Sequence, residues 1–171
     1  SYAAAKLMDE FTALSYHTTK RLDVVIVRFL NTVGPKQTVR YRMVLPRFVS
    51  KALSNEMIPV YGNGDQTRTF THADVVVNAI MKLIETPEAI GQVVNVGGVE
   101  EGSMLELAKR IKKLSTSESE IKLLPYDDVY PKDFEDMQRR VPSTEKLKSL
   151  IGCTPTRRLD EIIKDVIDYY Q

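Results

Sequence analysis

The chain has 171 residues, of which 43% are hydrophobic, and its 24 basic and 23 acidic residues leave a formal net charge of +1. This length allows one domain with a sizeable core, and the composition excludes a fibrous or low-complexity protein. The charge balance predicts no general attraction to nucleic acid or to an anionic membrane surface. The apolar runs are too short to span a bilayer, and the single cysteine, Cys153, is typical of a reducing compartment, so we expect a cytoplasmic protein.

The first half of the chain is predicted to alternate between helices and strands. The expected elements are a helix over 2–16, a strand over 23–31, a basic loop over 37–42, a helix over 44–55 and a strand over 57–61. The segment 23–31 is continuously apolar rather than alternating, which predicts a strand covered on both faces, as in a parallel sheet. The turn at 62–65 has the sequence GNGD and is predicted to be of the hairpin type, leading to a β-prone segment over 67–72.

The second half continues the alternation. The expected elements are a helix over 73–85, a buried strand over 91–98, a helix from Met104 capped by Ser103, a strand over 120–125, a loop over 126–136, a short helix capped by Ser143 and stopped by Gly152, and a helix over 159–170. Such alternation predicts an α/β fold. The first strand follows a helix, so we expect the chain to be the later part of a larger sheet.

Tyr2 and Lys6 are spaced for proton transfer. On a helix, residues four apart lie on one face. A phenol has a pKa of about 10 and is a poor base at neutral pH, but a nearby ammonium favours the phenolate. The pair can then exchange a proton with a substrate hydroxyl, as reversible alcohol–ketone chemistry requires. The same spacing occurs on many surface helices, so the pair alone does not establish catalysis.

Polar residues further along the chain suggest a ligand site. Asn31 follows the buried strand, and open α/β sheets bind ligands beyond the carboxyl ends of their strands. Arg68 follows the GNGD turn, and Arg140 belongs to the sequence QRRVP. Guanidinium groups suit a diphosphate because they offer paired donors. The structural alternative is that Asn31 ends a strand and that both arginines are surface charges.

The order of these motifs resembles the extended short-chain dehydrogenase/reductase family. The motifs are YxxxK, RFxNxxGP, PxYGxGxQxR, NVGG and QRRxPSxxKxxxxxG, and the similarity is greatest to NAD-dependent nucleotide-sugar epimerases, dehydratases and decarboxylases. The resemblance implies the C-terminal part of a doubly wound parallel (Rossmann-like) sheet plus a smaller mixed α/β substrate domain. Residues 1–36 would end the NAD-binding domain. Residues 37–171 would mainly form the substrate domain, with a segment near 70–98 returning to the sheet.

The resemblance also implies roles for individual residues. Tyr2 corresponds to the catalytic acid/base, Lys6 to the residue that lowers its pKa and contacts the nicotinamide ribose, and Phe29 to a position near the nicotinamide. The residues implied to bind the nucleotide sugar are Asn31, Pro59, Tyr61, Arg68, Asn95 and Arg140. Arg140 is also a candidate extra acid in the decarboxylases. No metal site is expected.

The resemblance implies an enzyme that uses NAD and converts a nucleotide sugar through a 4-keto-sugar intermediate. Because the motifs are most similar to those of enzymes that act on UDP-sugars, the expected substrate is UDP-linked. The resemblance also implies a homodimer. The family's GxxGxxG fingerprint, its ribose-binding acidic residue and its catalytic Ser or Thr precede YxxxK, and these 171 residues do not contain them. The chain alone is therefore expected to be inactive. Two alternatives stay open: an oxidoreductase of the same fold with a non-nucleotide substrate, and a non-catalytic fragment that binds sugar nucleotides or supports dimerisation.

Overall fold

The computed structural model describes residues 2–38, 43–128, 136–152 and 156–171. The helices are α1 (Tyr2–Lys20), α2 (Val44–Leu53), α3 (Ala73–Ile84), α4 (Met104–Leu114), α5 (Glu145–Ile151) and α6 (Leu159–Tyr170). The strands are β1 (Ile26–Phe29), β2 (Thr32–Val33), β3 (Ile58–Tyr61), β4 (Thr67–Thr69), β5 (Thr71–His72), β6 (Val93–Val96), β7 (Glu101–Ser103), β8 (Ile121–Leu124) and β9 (Arg139–Arg140). The predicted loop over 126–136 contains a 3-10 turn at Tyr126–Asp128. Residues 129–135, most of the predicted basic loop, and Cys153 lie outside the described residues. Of the described helices, none is both long and apolar enough to cross a bilayer.

Most strand pairs are parallel, which confirms the predicted α/β class. β1 pairs with β6, β2 with β5 and β3 with β8, all in parallel. β4 is the centre of a mixed sheet, antiparallel to β7 and parallel to β9. Parallel pairing requires crossover connections, and the intervening helices provide them.

Two groups of buried side chains form the core. The larger group joins α2, β3, α4 and α6 around fully buried residues such as Phe48 and Ile163. The smaller group joins α3, β6 and α5, and Val25 and Val27 pack against it from the first strand region. The segment 76–96 therefore packs with the chain before residue 36. The division into an NAD-binding and a substrate domain stays a prediction.

Helix α4 begins with the capping that its sequence predicts. The Ser103 hydroxyl accepts a hydrogen bond from the Glu106 backbone N–H at 3.1 Å, and the Glu106 carboxylate accepts one from the Ser103 N–H at 3.0 Å. This reciprocal pair satisfies two of the backbone donors that every helix leaves unpaired at its first turn. Met104, Leu107 and Ile111 then lie buried on one face.

Replacing Ser103 with alanine is expected to lower the free energy of unfolding by about 1 kcal/mol, because the Glu106 N–H loses its acceptor. Thr144 is a matched control, since it is the N-cap of α5 and its side chain makes no capping hydrogen bond. Urea unfolding of the two alanine variants measures the difference. Equal losses in both variants would contradict the assigned role of Ser103.

The GNGD segment forms a turn, but the predicted hairpin is wrong. The strands on either side of it, β3 and β4, do not pair with each other, because β3 pairs with β8 and β4 with β7 and β9. Gly62 and Gly64 adopt φ values of 67° and 79°, which glycine reaches without strain. The turn therefore passes the chain from one sheet to another.

The predicted cap of α5 and the predicted burial of the first strand also need correction. The N-cap is Thr144 rather than Ser143, whose carbonyl instead accepts a hydrogen bond from Asn95 Nδ2 at 3.2 Å. Gly152 ends this helix in the left-handed conformation, as predicted. β1 is not covered on both faces in the described part of the chain: Ile26 and Val27 are half-buried, and Arg28 and Phe29 are exposed.

Candidate functional site

A cavity of about 180 Å³ lies between α2, β3 and β4. Its lining combines aromatic and apolar side chains with a few polar and charged ones, the usual composition of a site for a small organic ligand. The lining residues are Asn31, Val44, Arg47, Phe48, Pro59, Tyr61, Gln66, Arg68, Phe70, Met104, Tyr126 and Asp136. Four of the nine residues singled out in the sequence are in this set: Asn31, Pro59, Tyr61 and Arg68.

The alternation of β3 brings two of these residues to the cavity. Ile58 and Val60 are fully buried in the core, so Pro59 and Tyr61 face the other way, where both line the cavity. Gln66, which is 5% exposed, donates from Nε2 to the Tyr61 carbonyl at 3.0 Å. The end of β3 is thus tied to the start of β4.

Helix α2 forms another wall. Val44, Arg47 and Phe48 all line the cavity, and their i, i+3, i+4 spacing places them on one helical face. The Arg47 guanidinium lies over the Tyr61 ring, with Cζ 5.1 Å from the ring centroid, and its Nη1 donates to the Tyr61 hydroxyl at 3.3 Å. Among the described residues, Arg47 Nε is buried and has no hydrogen-bond partner.

Arg68 is held by an ion pair at the cavity wall. Its Nη2 donates to Asp136 Oδ1 at 2.8 Å, and its Nη1 donates to the Thr67 carbonyl at 2.8 Å. The Tyr126 hydroxyl donates to the second oxygen of Asp136 at 3.0 Å. The Arg68 side chain is only 12% exposed, so this pair is shielded from bulk water and strongly oriented.

Asn31 connects the first strand region to β4 and β5. It adopts a φ of 44°, a left-handed conformation that asparagine tolerates better than most residues. Its Nδ2 donates to the Thr69 carbonyl at 2.8 Å, and its own carbonyl accepts from the Thr71 N–H at 3.1 Å. Asn31 therefore both lines the cavity and fixes the backbone beside it.

Tyr2, Lys6 and Phe29 do not line this cavity. Tyr2 is 76% exposed and Phe29 is 51% exposed. Lys6 Nζ donates to Asp9 Oδ2 at 2.9 Å, and this hydrogen bond, followed by the charge of Asp9, raises the pKa of Lys6. These residues lie on a surface that is open to a ligand in this structure.

Asn95 and Arg140 lie outside the cavity lining as well. Asn95 binds the Ser143 carbonyl and so joins β6 to the start of α5. Arg140 pairs in register with Arg68 on the adjacent strand, so both side chains project from the same face of the sheet. The neighbouring Arg139 instead makes two hydrogen bonds of 2.9 Å to Glu101, and these lower the pKa of that carboxyl.

The sequence reasoning missed several cavity residues: Arg47, Gln66, Tyr126 and Asp136. A signal for Arg47 was present, because this cation shares a helical face with Val44 and Phe48. Tyr126 and Asp136 are in the acidic, aromatic stretch that was predicted only as a loop. Within the described ranges, no cluster of His, Cys, Asp or Glu side chains could hold a metal ion.

Comparisons with known proteins agree with the motif order. The GDP-mannose 4,6 dehydratase family model matches residues 1–166. UDP-N-acetyl-alpha-D-glucosaminuronate decarboxylase of Bacillus cytotoxicus is 34% identical over 172 residues, which cover 100% of this chain and 53% of that protein. UDP-glucuronic acid decarboxylase 1 of Danio rerio is 33% identical, with 99% of this chain and 38% of that protein covered.

A solved structure gives the same result for the fold. UDP-glucuronic acid 4-epimerase of Bacillus cereus, in complex with UDP-glucuronic acid and NAD, superposes with a TM-score of 0.85 at 27% identity and covers 98% of this chain and 51% of that one. The chain thus spans about half the length of this structure and of the Bacillus cytotoxicus relative. Sequence and fold together show that the chain belongs to the GDP-mannose 4,6 dehydratase family of extended short-chain dehydrogenases/reductases, which groups nucleotide-sugar epimerases, dehydratases and decarboxylases.

Proposed function

We propose that this chain provides the acid/base pair and the nucleotide-sugar cavity of an NAD-dependent epimerase, decarboxylase or dehydratase that works through a 4-keto-sugar. The observation that carries the proposal is the cavity itself. It presents aromatic rings to a planar base and two guanidinium groups to a diphosphate. Arg68 lines the cavity rather than facing away from it, which favours a nucleotide substrate over a non-nucleotide one.

The residues proposed for the cofactor side are compatible with NAD. Tyr2, Lys6 and Phe29 are exposed, so a cofactor can reach all three. NAD, when bound, supplies the hydride acceptor for oxidation of the sugar. Tyr2 takes the proton of the sugar hydroxyl, and Lys6 stabilises the phenolate that this role requires.

On the substrate side, Pro59 and Tyr61 line the base, while Arg68 orients the diphosphate. Asn31 positions the sugar end of the ligand, as its place in the lining allows. Asn95 and Arg140 are proposed to contact the nucleotide sugar as well. Arg140 projects on the same sheet face as Arg68, which supports a shared ligand.

The proposal includes a homodimer in the cytoplasm. Helix α1 buries no residue in this chain, and Leu7, Met8 and Phe11 on it are more than half exposed. Exposed apolar side chains of this kind are suited to contact with a second protein surface.

The natural full-length protein, incubated with NAD and UDP-glucuronate or UDP-glucose, tests this function. Mass spectrometry distinguishes the reactions, because a decarboxylase releases carbon dioxide, a dehydratase releases water, and an epimerase leaves the mass unchanged. Proton NMR of the anomeric signal detects the last case. We expect one of these products. Turnover of free sugars only, or binding of UDP-sugars without any turnover, would contradict the proposal and favour one of the two alternatives.

A further inference from the structure

We propose that Arg47 is the residue that binds the phosphate groups of the ligand in this cavity. The inference rests on the proposed function, since that function supplies a ligand with a diphosphate. It concerns a residue that the motifs did not single out.

The cavity wall contains both positive and negative side chains. Its charged lining residues are Arg47, Arg68 and Asp136. Asp136 lies 2.8 Å from Arg68 and neutralises it, whereas Arg47 has no carboxylate within ion-pair distance in the described part of the chain. Among the described lining residues, the net positive charge is therefore carried by Arg47.

The Arg47 side chain uses only part of its hydrogen-bonding capacity within the described part of the chain. Its planar guanidinium has five N–H donors, of which Nη1 makes a hydrogen bond of 3.3 Å to the Tyr61 hydroxyl, which is long for this type of bond. Nε is buried and has no hydrogen-bond partner among the residues that the structure describes. A charged group with unused donors in a shielded position is poorly satisfied by the protein, and a phosphate oxygen is the acceptor that best complements it.

Two aromatic rings hold the Arg47 guanidinium in a fixed orientation. The guanidinium lies over the Tyr61 ring at 5.1 Å and close to the Phe48 ring at 5.9 Å, so its plane is held by two aromatic side chains. An arginine that served only as a surface charge would extend its head into water. Here Arg47 shares the cavity-facing side of α2 with Val44 and Phe48.

Arg68, the other cavity arginine, is already engaged in an ion pair. To bind a phosphate with its full charge, Arg68 has to give up or share its bond to Asp136, which Tyr126 also holds in place. Within the described ranges, Arg47 has no ion pair that it would have to break to bind an anion. Arg47 therefore contributes more to phosphate affinity, while Arg68 and Asp136 act mainly to orient the ligand.

The test uses calorimetric titration of the natural full-length protein with uridine, UMP, UDP and inorganic pyrophosphate. Arg47→Gln is expected to raise the Kd of UDP and of pyrophosphate by about 10- to 100-fold, and to change the Kd of uridine by no more than about twofold. Arg47→Lys keeps the charge but loses the paired donors, so it is expected to lie between the wild type and Arg47→Gln. Lys51→Gln removes a positive charge from the same helix outside the cavity and serves as the control, with an unchanged Kd for every probe.

Each other outcome decides against at least one of the two proposals. An unchanged UDP affinity in Arg47→Gln, or equal loss of uridine and UDP in a variant that melts like the wild type, would overturn the role of Arg47. A wild type that binds pyrophosphate in an Arg47-dependent manner but not uridine or UDP would overturn the nucleotide-sugar function and leave the anion site standing. A wild type that binds none of the probes would overturn both.

Discussion

Replacing Tyr2 with phenylalanine is expected to lower kcat of the natural full-length protein by about 10²- to 10⁴-fold, the usual contribution of a positioned acid/base. The substitution removes the hydroxyl that exchanges the proton and keeps the ring. The Kd of UDP should stay within about twofold of the wild type, because Tyr2 does not line the nucleotide cavity. Steady-state turnover of UDP-glucuronate or UDP-glucose, whichever the wild type converts, together with titration of UDP, measures the two effects separately.

Tyr16→Phe is the matched control for this prediction. Tyr16 is on the same helix and is also exposed, at 54% against 76% for Tyr2. The Tyr16→Phe variant should retain the wild-type kcat. A Tyr2→Phe variant with normal turnover would show that the YxxxK pair is not the proton relay, and a variant with normal turnover but weakened UDP binding would show that Tyr2 serves the ligand site instead.

Gly98→Ala is expected to have a large effect on both stability and ligand binding. A Cβ atom at Gly98 would overlap the Phe70 carbonyl oxygen and lie 2.9 Å from the Phe70 carbonyl carbon. Because these are backbone atoms, the strain cannot be relieved by rotating a side chain. Overpacking of this kind costs about 1–3 kcal/mol of unfolding free energy, and occasionally more. Phe70 lines the cavity, so its displacement should also weaken UDP binding.

Gly102→Ala is the control for Gly98→Ala. A Cβ at Gly102 meets its nearest neighbours, Glu106 Oε2 and Leu159 Cδ2, at 3.9 Å, which is ordinary van der Waals contact. Its effect on the free energy of unfolding should stay within about 0.5 kcal/mol. Urea unfolding and UDP titration compare the two variants. If both alanine substitutions lower the free energy of unfolding equally, the close approach of the Phe70 backbone is not the reason for the glycine at position 98.

Helices were predictable where their signals are local. The Ser103 cap, the apolar face of α4 and the left-handed Gly152 all depend on residues within a few positions of each other, and the structure confirms them. Ser143 is not the N-cap of α5, and its carbonyl accepts a hydrogen bond from Asn95, a residue 48 positions earlier in the chain. A contact of that range has no local sequence signal.

Some residues of the candidate site were also predictable from local sequence, and others were not. The resemblance implies that Pro59 and Tyr61 both bind the nucleotide sugar, and strand alternation places both on the cavity side of β3. The Arg68–Asp136 pair joins residues 68 positions apart, and Arg47 reaches the site because α2 packs beside β3. Their proximity depends on how the elements pack, which no short pattern encodes.

The sequence by itself determined the α/β class, the family and the type of most elements. Periodicity and helix caps are short-range properties, and the order of motifs is read directly along the chain, so none of them depends on which strands pair. The tertiary structure alone decided that β3 pairs with β8 rather than with β4, that Arg68 is neutralised by Asp136, and that Arg47 is a lining residue with no carboxylate partner in the described part of the chain. The physical reason is the same in all three cases: burial and charge are properties of neighbours in space, and these neighbours are far apart in the chain.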